Sequence, residues 1–295
     1  MRGSAPEHKG TGATVAETGP SRRNQRPLPI GDPSVSMHSL NDKVAVITGA
    51  SSGIGRATAL ALARAGADVA LAARRVAALE AVAEEVRALG RRALVVPTDV
   101  AQQAQDEQLV SATLAHFGRL DIVVANAGIY VRGAIETLTA ADFERCMAVN
   151  YFGTVYPVLA ALPHLRARGS GHIVLISSMD GKKAVRTDAP YAATKFAVAG
   201  FGDALRQDLH GSGVDVSIIF PGRVATPMIA AMRIPAISAP IPAEAVAAAV
   251  VKAIRRRQAE VIVPFSARFL LVADRLSPRL GDWAVRTFRL QGLEE

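Results

Sequence analysis

Cysteine is almost missing from this chain: Cys146 stands alone among 295 residues. No disulfide can form within it, and nothing points to an oxidising compartment. Aromatic residues are sparse too, at 5%, too few for a platform on which nucleic-acid bases would stack. The formal charge of +8 comes from arginines scattered through helical stretches. No nucleic-acid partner is therefore expected, and a phosphate-rich cofactor accounts for the excess equally well. No uninterrupted apolar run reaches the length of a membrane span. The first 38 residues also lack the apolar centre of a secretory signal, so a cytoplasmic location is the expectation. What is abundant is apolar: 50% of the residues, with alanine prominent, which suits close-packed helices around a sizeable core.

Residues 1–38 are rich in Gly, Pro, Ser and Arg and show no period. Such a composition cannot bury a core and predicts a disordered tail, with Met37 as an alternative start. From Lys43 onward, short apolar runs alternate with longer amphipathic stretches. Strands are predicted over 43–48, 68–73, 92–97, 121–126, 171–177, 214–220 and 260–264. Helices are predicted near 54–66, 75–89, 102–117, 139–167, 190–211 and 243–257. The strands are continuous apolar runs rather than alternating ones, which marks strands covered on both faces. The expected fold class is α/β, a doubly wound (Rossmann) three-layer fold with a seven-stranded parallel sheet. One domain over 39–264 and an amphipathic extension over 265–295 complete the expected organisation.

Directly after the first strand comes TGASSGIG, residues 48–55. Gly49 suits a tight turn, Gly53 an approach of backbone to a pyrophosphate, and Gly55 close helix-to-strand packing. The helix opening near Ile54 aims its free N–H groups at the phosphates. At the end of the second strand an acid would accept from the ribose of NAD, whereas arginine suits a 2′-phosphate. Arg74 and Arg75 occupy that edge, so NADP(H) is expected ahead of NAD(H).

PYAATKF, residues 190–196, places Tyr191 and Lys195 at i and i+4 on one helix face. At an effective dielectric of about 20, an ammonium some 5 Å from a phenolate is worth roughly 3 kcal/mol, or about two pKa units. That shift predicts a phenol able to exchange protons nearer neutral pH.

Together these stretches resemble the short-chain dehydrogenase/reductase family over residues 40–265, NADP(H)-dependent type. ANAG (125–128) resembles its NNAG signature, with Ala125 in place of the first Asn. Asn150 in MAVNYFGT resembles its helix asparagine, and Ser178 its serine about thirteen residues before the tyrosine. PGRVAT (221–226) resembles the stretch that contacts nicotinamide. The resemblance implies a catalytic set of Asn150, Ser178, Tyr191 and Lys195 and no metal. Tyr191 would exchange a proton with the substrate oxygen, Lys195 would lower its pKa and hold the nicotinamide ribose, and Ser178 would donate to the developing alkoxide. Asn150 would hold a water that relays protons to Lys195. The implied cofactor contacts are Gly49, Ser51, Ser52, Gly53, Ile54, Gly55, Arg74, Arg75, Asp99 and Val100. Asn126, Ala127, Gly128, Tyr191, Lys195, Pro221, Gly222, Val224 and Thr226 complete them. Ser52 stands where many NADP-dependent members carry a basic residue, which leaves 2′-phosphate recognition mainly to Arg74.

Residues 227–242 are apolar and proline-punctuated; in the family such a segment closes over the substrate, here a hydrophobic alcohol or ketone. Tyr130, Val131 and Met179 are further candidates for the pocket wall, and no charged residue in it directs a carboxylate or phosphate. Residues 265–290 alternate apolar clusters with arginines. Packing on the substrate side or on a neighbouring subunit is the leading expectation there, with peripheral membrane contact second. By resemblance, the helices at 139–167 and 190–211 form a homodimer or homotetramer. The alternative to an oxidoreductase is a non-catalytic regulator that senses NADP(H) on the same fold.

Overall fold

The computed structural model describes residues 1–3, 39–230, 232, 239–288 and 290. The tail expected over 1–38 lies outside the described residues beyond residue 3, as do positions 231 and 233–238 of the substrate segment.

Seven strands form one sheet: β1 (Val44–Thr48), β2 (Asp68–Ala73), β3 (Ala93–Pro97), β4 (Ile122–Ala125), β5 (Gly171–Ile176), β6 (Val214–Pro221) and β7 (Glu260–Val263). Their order is β3-β2-β1-β4-β5-β6-β7, and every pairing is parallel. The register sets Val46 beside Ala70 on one side and Val123 on the other. The seven predicted strands each match one of these to within two residues.

The continuous apolar runs are explained by the layers. Side chains of a strand alternate between faces, and both faces here are dry. Ala45 and Ile47 join one core with α1 (Gly53–Arg64), α2 (Val76–Ala88) and α7 (Ala243–Arg256), through residues such as Leu62, Val82 and Val250. Val44 and Val46 join the other core with α3 (Gln103–Phe117), α5 (Gly153–Arg168) and α6 (Ala189–Asp208), through Leu109, Val158 and Val198.

The helix expected over 139–167 is interrupted. α4 (Ala140–Met147) passes into α5 through a wide π turn, Ala148–Phe152. Pro157 contributes to this seam, because it cannot supply the donor that the Gly153 carbonyl would otherwise receive. Residues Ala140–Arg168 are, by length and composition alone, long and apolar enough to cross a membrane, although Asn150, Thr154 and His164 interrupt the apolar run. Their inward side, Val158, Ala161 and Leu165, is fully buried against the sheet, and so they read as a core helix. Beyond β7 come α8 (Arg268–Leu276) and α9 (Pro278–Thr287).

Asp106 on α3 is fully buried, and neither of its carboxyl oxygens has a hydrogen-bond partner among the described residues. Burial, then the charge of Asp99, lifts it from 3.8 to about 8. The folded state thus holds this proton more tightly than the unfolded chain, so its contribution to stability declines as pH rises from about 4 to about 8. Asp106→Asn keeps the shape and removes the titration. The fall in melting temperature between pH 5.5 and 8.5 is expected to shrink by roughly 5 °C in that variant. An unchanged slope in differential scanning fluorimetry rejects the assignment.

Candidate active site

β1 and β4 are neighbours, but the chain leaves β1 towards β2 and β3 and leaves β4 towards β5, β6 and β7. The loops that follow them diverge, and a crevice opens at the carboxyl edge of the sheet. A cleft of about 1070 Å³ occupies it.

At one end lies the glycine turn. Gly49 has φ +66°, and a Cβ there would stand 2.8 Å from the Ala127 Cα; one on Gly55 would stand 2.3 Å from the Gly49 carbonyl oxygen. No side chain fits at either position, and at Gly49 backbone faces the cleft. The first turn of α1 carries no acid, and Ser52 at its N-cap makes no side-chain capping bond, so the helix keeps free N–H groups for an anion. The ANAG stretch is fixed to the end of β1: the amides of Asn126 and Ala127 both donate to Thr48 Oγ1, at 3.0 and 3.1 Å, and Asn126 Nδ2 donates to the Thr48 carbonyl at 2.9 Å. Arg75 Nη2 donates to Ser51 Oγ at 3.0 Å and to Ser52 Oγ at 2.9 Å. A guanidinium from just beyond β2 thus stands beside the serines of the turn, with Arg74 exposed next to it.

At the cleft's centre, α6 is held against the end of β5. Ser177 Oγ donates to the Lys195 carbonyl at 2.9 Å, and Lys195 Nζ donates to the Ile176 carbonyl at 3.0 Å. Pro190 sits in the first turn of α6, where its missing N–H costs nothing, and Tyr191 follows. The Lys195 ammonium lies 5.5 Å from the centre of the Tyr191 ring. Tyr130 packs edge-on against the same ring, centroids 4.9 Å apart. Ser178 borders the cleft; its hydroxyl donates to Asp180 Oδ2 at 3.0 Å and accepts from the Asp180 amide at 3.1 Å.

Charges here are tuned mainly by burial. It pushes the Lys195 ammonium down to about 8, and lifts the Tyr191 phenol above its ordinary value. The carboxylates of Asp180 and Asp188 add to that rise, and the Ser178 hydroxyl pulls the other way. Against the expectation that Lys195 eases the phenol towards neutral pH, loss of water around the ring raises it. Burial and the charge of Asp188 lift Asp180 to about 7, against the pull of Ser178 and Arg223. Asp188 itself accepts from the Tyr130 hydroxyl at 2.6 Å and faces Arg132 at 3.6 Å.

The sequence-predicted catalytic and cofactor residues all line this cleft except Gly55 and Asn150. Gly55 acts through close packing. Asn150 is fully buried in the π turn. Its Oδ1 accepts from the Ile129 amide at 2.7 Å, while Nδ2 donates to the Ile129 carbonyl and to Thr194 Oγ1, both at 3.0 Å. That side chain ties the loop after β4 to α6. Val131 is buried away from the cleft, whereas Tyr130 and Met179 line it. The expectation of a wall without directing charges is also corrected: Asp180, Lys183, Asp188 and Arg223 line it. Asp180 stands two residues after Ser178 and Arg223 lies inside PGRVAT, so both were visible within stretches already singled out.

The family model for short chain dehydrogenase matches residues 43–235. The chain belongs to this family. It is 34% identical over 264 residues to the ketoacyl reductase HetN of Nostoc, a match covering 85% of this chain and 91% of that one. It is 40% identical over 208 residues, 70% of its own length, to the glycine betaine reductase ATRR of Emericella nidulans, of which it spans only 16%. A crystallised short chain dehydrogenase/reductase from Burkholderia phymatum, in complex with NAD, superposes with a TM-score of 0.77 at 27% identity, covering 83% of this chain and 96% of that one.

In this short chain dehydrogenase the adjacent serines divide their work. Ser177→Ala is expected to cost about 1–2 kcal/mol in a urea titration, since the Lys195 carbonyl loses its buried hydroxyl donor. Ser178→Ala, at the cleft wall, is expected to cost less. Equal losses would show that the two are not divided in this way.

Proposed function

We propose that the protein interconverts a hydrophobic ketone or aldehyde and its alcohol, with NADP(H) ahead of NAD(H) as the redox partner. The observation that carries the reading is the convergence of Tyr191, Ser178 and Lys195 on one cleft with the glycine turn. The site fits a dinucleotide on its own geometry: a turn in which a Cβ at Gly49 or Gly55 would collide, and an uncapped helix start free of acids. Ser51, Ser52, Gly53 and Ile54 would hold the pyrophosphate, Asp99 and Val100 the adenine, and Arg74 and Arg75 a 2′-phosphate. Asn126, Ala127 and Gly128, with Pro221, Gly222, Val224 and Thr226, would border the nicotinamide half. The Burkholderia relative was crystallised with NAD; the two arginines at the end of β2 and the absence there of an acid favour NADP(H) in this chain.

The bound dinucleotide supplies or takes up the hydride. In the reductive direction Tyr191, protonated across the neutral range, gives its proton to the carbonyl oxygen. Ser178 donates a hydrogen bond to the same oxygen as charge develops on it. For this its hydroxyl must leave Asp180 Oδ2, which is easier when Asp180 is protonated. The Lys195 ammonium steadies the phenolate left behind. Tyr191, Lys195 and Ser178 are all present, which weighs against a purely sensing role. We read the exposed Phe152, Leu159 and Phe196 as part of a homodimer or homotetramer contact, and place the enzyme in the cytoplasm.

Screening NADPH oxidation against steroids, acyl ketones, quinones and aldehydes tests the reading. Tyr191→Phe is expected to lower turnover by roughly 10³-fold or more while NADPH still raises the melting temperature; retained turnover removes Tyr191 from the mechanism. Arg74→Ala combined with Arg75→Ala is expected to lower the NADPH-over-NADH preference at least ~10-fold; a wild-type preference for NADH rejects the cofactor assignment. Reductive kcat/KM should decline as pH rises through about 7 and again about 8, as Asp180 ionises and Lys195 loses its charge. Asp180→Asn should remove the first step and keep the second.

A further inference from the structure

The far end of the cleft is closed by α8 and α9, and these helices are coloured unlike the rest of the surface. Leu270, Ala273 and Ala284 turn inward to line the cleft. Phe265, Phe269, Val272, Leu276, Leu280, Trp283 and Phe288 are all exposed, with Phe269 at 72% and Leu276 at 76%. These seven equal in number the exposed large apolar side chains of all described residues from 39 to 264. From the turn that leads into α8 to its end, the spacing 265, 269, 272, 276 is that of a single helical stripe.

The charges of the hairpin are sorted with the same consistency. Its two acids, Asp274 and Asp282, both point to Lys183 at 2.7 Å. Its four arginines, Arg268, Arg275, Arg279 and Arg286, are exposed, and among the described residues none of them forms an ion pair. A basic, apolar outer face therefore surrounds the end of the cleft. Phe269, Leu280, Trp283, Phe288 and Met228 are at once exposed and part of the cleft lining, so apolar surface runs from outside to inside without a polar break at these positions.

We propose that the α8–α9 hairpin seats the protein on an anionic lipid surface, from which the cleft draws its apolar substrate. The arginines meet the headgroup charge while the stripe enters the boundary with the acyl chains. A second copy of this chain fits less well. A two-fold contact sets each patch against itself, bringing four arginines without an ion pair among the described residues to four more, with both acids of the hairpin on Lys183. The membrane contact stands independently of the proposed reaction; the substrate's route rests on that reading.

The test is flotation of the full-length protein with phosphatidylcholine vesicles, with and without about 30% phosphatidylserine, in low and high salt. Arg275→Glu with Arg279→Glu, and Val272→Ser with Leu276→Ser, alter exposed side chains outside the cleft lining. The wild type is expected to float with anionic vesicles and to be released by salt, and each double variant to partition at least roughly 30-fold less. Equal recovery of wild type and variants in the soluble fraction overturns the proposal. So does a sedimentation experiment without lipid in which Val272→Ser/Leu276→Ser splits an oligomer while the wild type ignores vesicles, since the stripe is then a subunit contact. Neither readout needs turnover, so an enzyme inactive on every ketone screened still answers the question. For the route, the charge variant is expected to raise KM at least ~10-fold for a ketone carried in anionic vesicles and to leave KM for a water-soluble ketone unchanged; equal effects reject it.

Discussion

The fastening of α6 to the end of β5 is the constraint on which the site depends. Two bonds make it: the Ser177 hydroxyl on the Lys195 carbonyl and the Lys195 ammonium on the Ile176 carbonyl. An ammonium that is only 4% exposed pays for its lost hydration with a carbonyl at the strand's end, where the edge of the sheet leaves it accessible. That fixes the rotation of α6, and the rotation carries Tyr191, one turn earlier, to the cleft beside Ser178. Gly181 shows how close the fit is, since a Cβ there would stand 2.5 Å from the Lys195 carbonyl oxygen and from Ser177 Oγ.

Around that fastening the protein has placed more negative charge than the proposed chemistry alone requires. Asp180 and Asp188 both raise the phenol, while Tyr130 and Arg132 hold Asp188 from the other side. The result is a phenol that keeps its proton and an ammonium near its titration point. In such a site a proton donor is easier to supply at neutral pH than a base. The positive charge of an oxidised nicotinamide would act on the phenol in the opposite sense.

The fold was legible because its strands are buried on both faces: VAVIT or VSIIF cannot be mistaken for a half-exposed edge, and the intervening helices have the length of crossovers. The glycine turn and the Tyr191–Lys195 pair were legible because each is local, its partners lying within a few residues. What the sequence concealed is non-local. Arg75 meets Ser51 and Ser52 from 24 and 23 residues away, and Lys183 meets Asp282 across 99. The burial that reverses the expected shift of Tyr191 is likewise a property of the packed cleft and not of PYAATKF. The π turn escaped for another reason: the pattern of 139–167 is helical throughout, and one additional residue in a turn leaves no mark on composition.

The two halves of the cleft are built by different rules, and this bears on how specificity can change. The half beside β1 is made of backbone, from glycines and strand-end amides tied to Thr48, and few substitutions fit there without a collision. The half beyond Tyr191 is made of side chains on elements that follow the sheet's last crossovers: Met228, then α8 and α9 after β7. Leu270, Trp283 and Phe288 can be exchanged for other apolar residues without disturbing any strand pairing, because none of them belongs to either sheet-facing core. The substrate half is therefore free to vary while the dinucleotide half is not. Lys183 joins the two by linking the loop after β5 to Asp274 and Asp282. That ion-paired link ties the α8–α9 hairpin to the segment that carries Ser178 and Asp180.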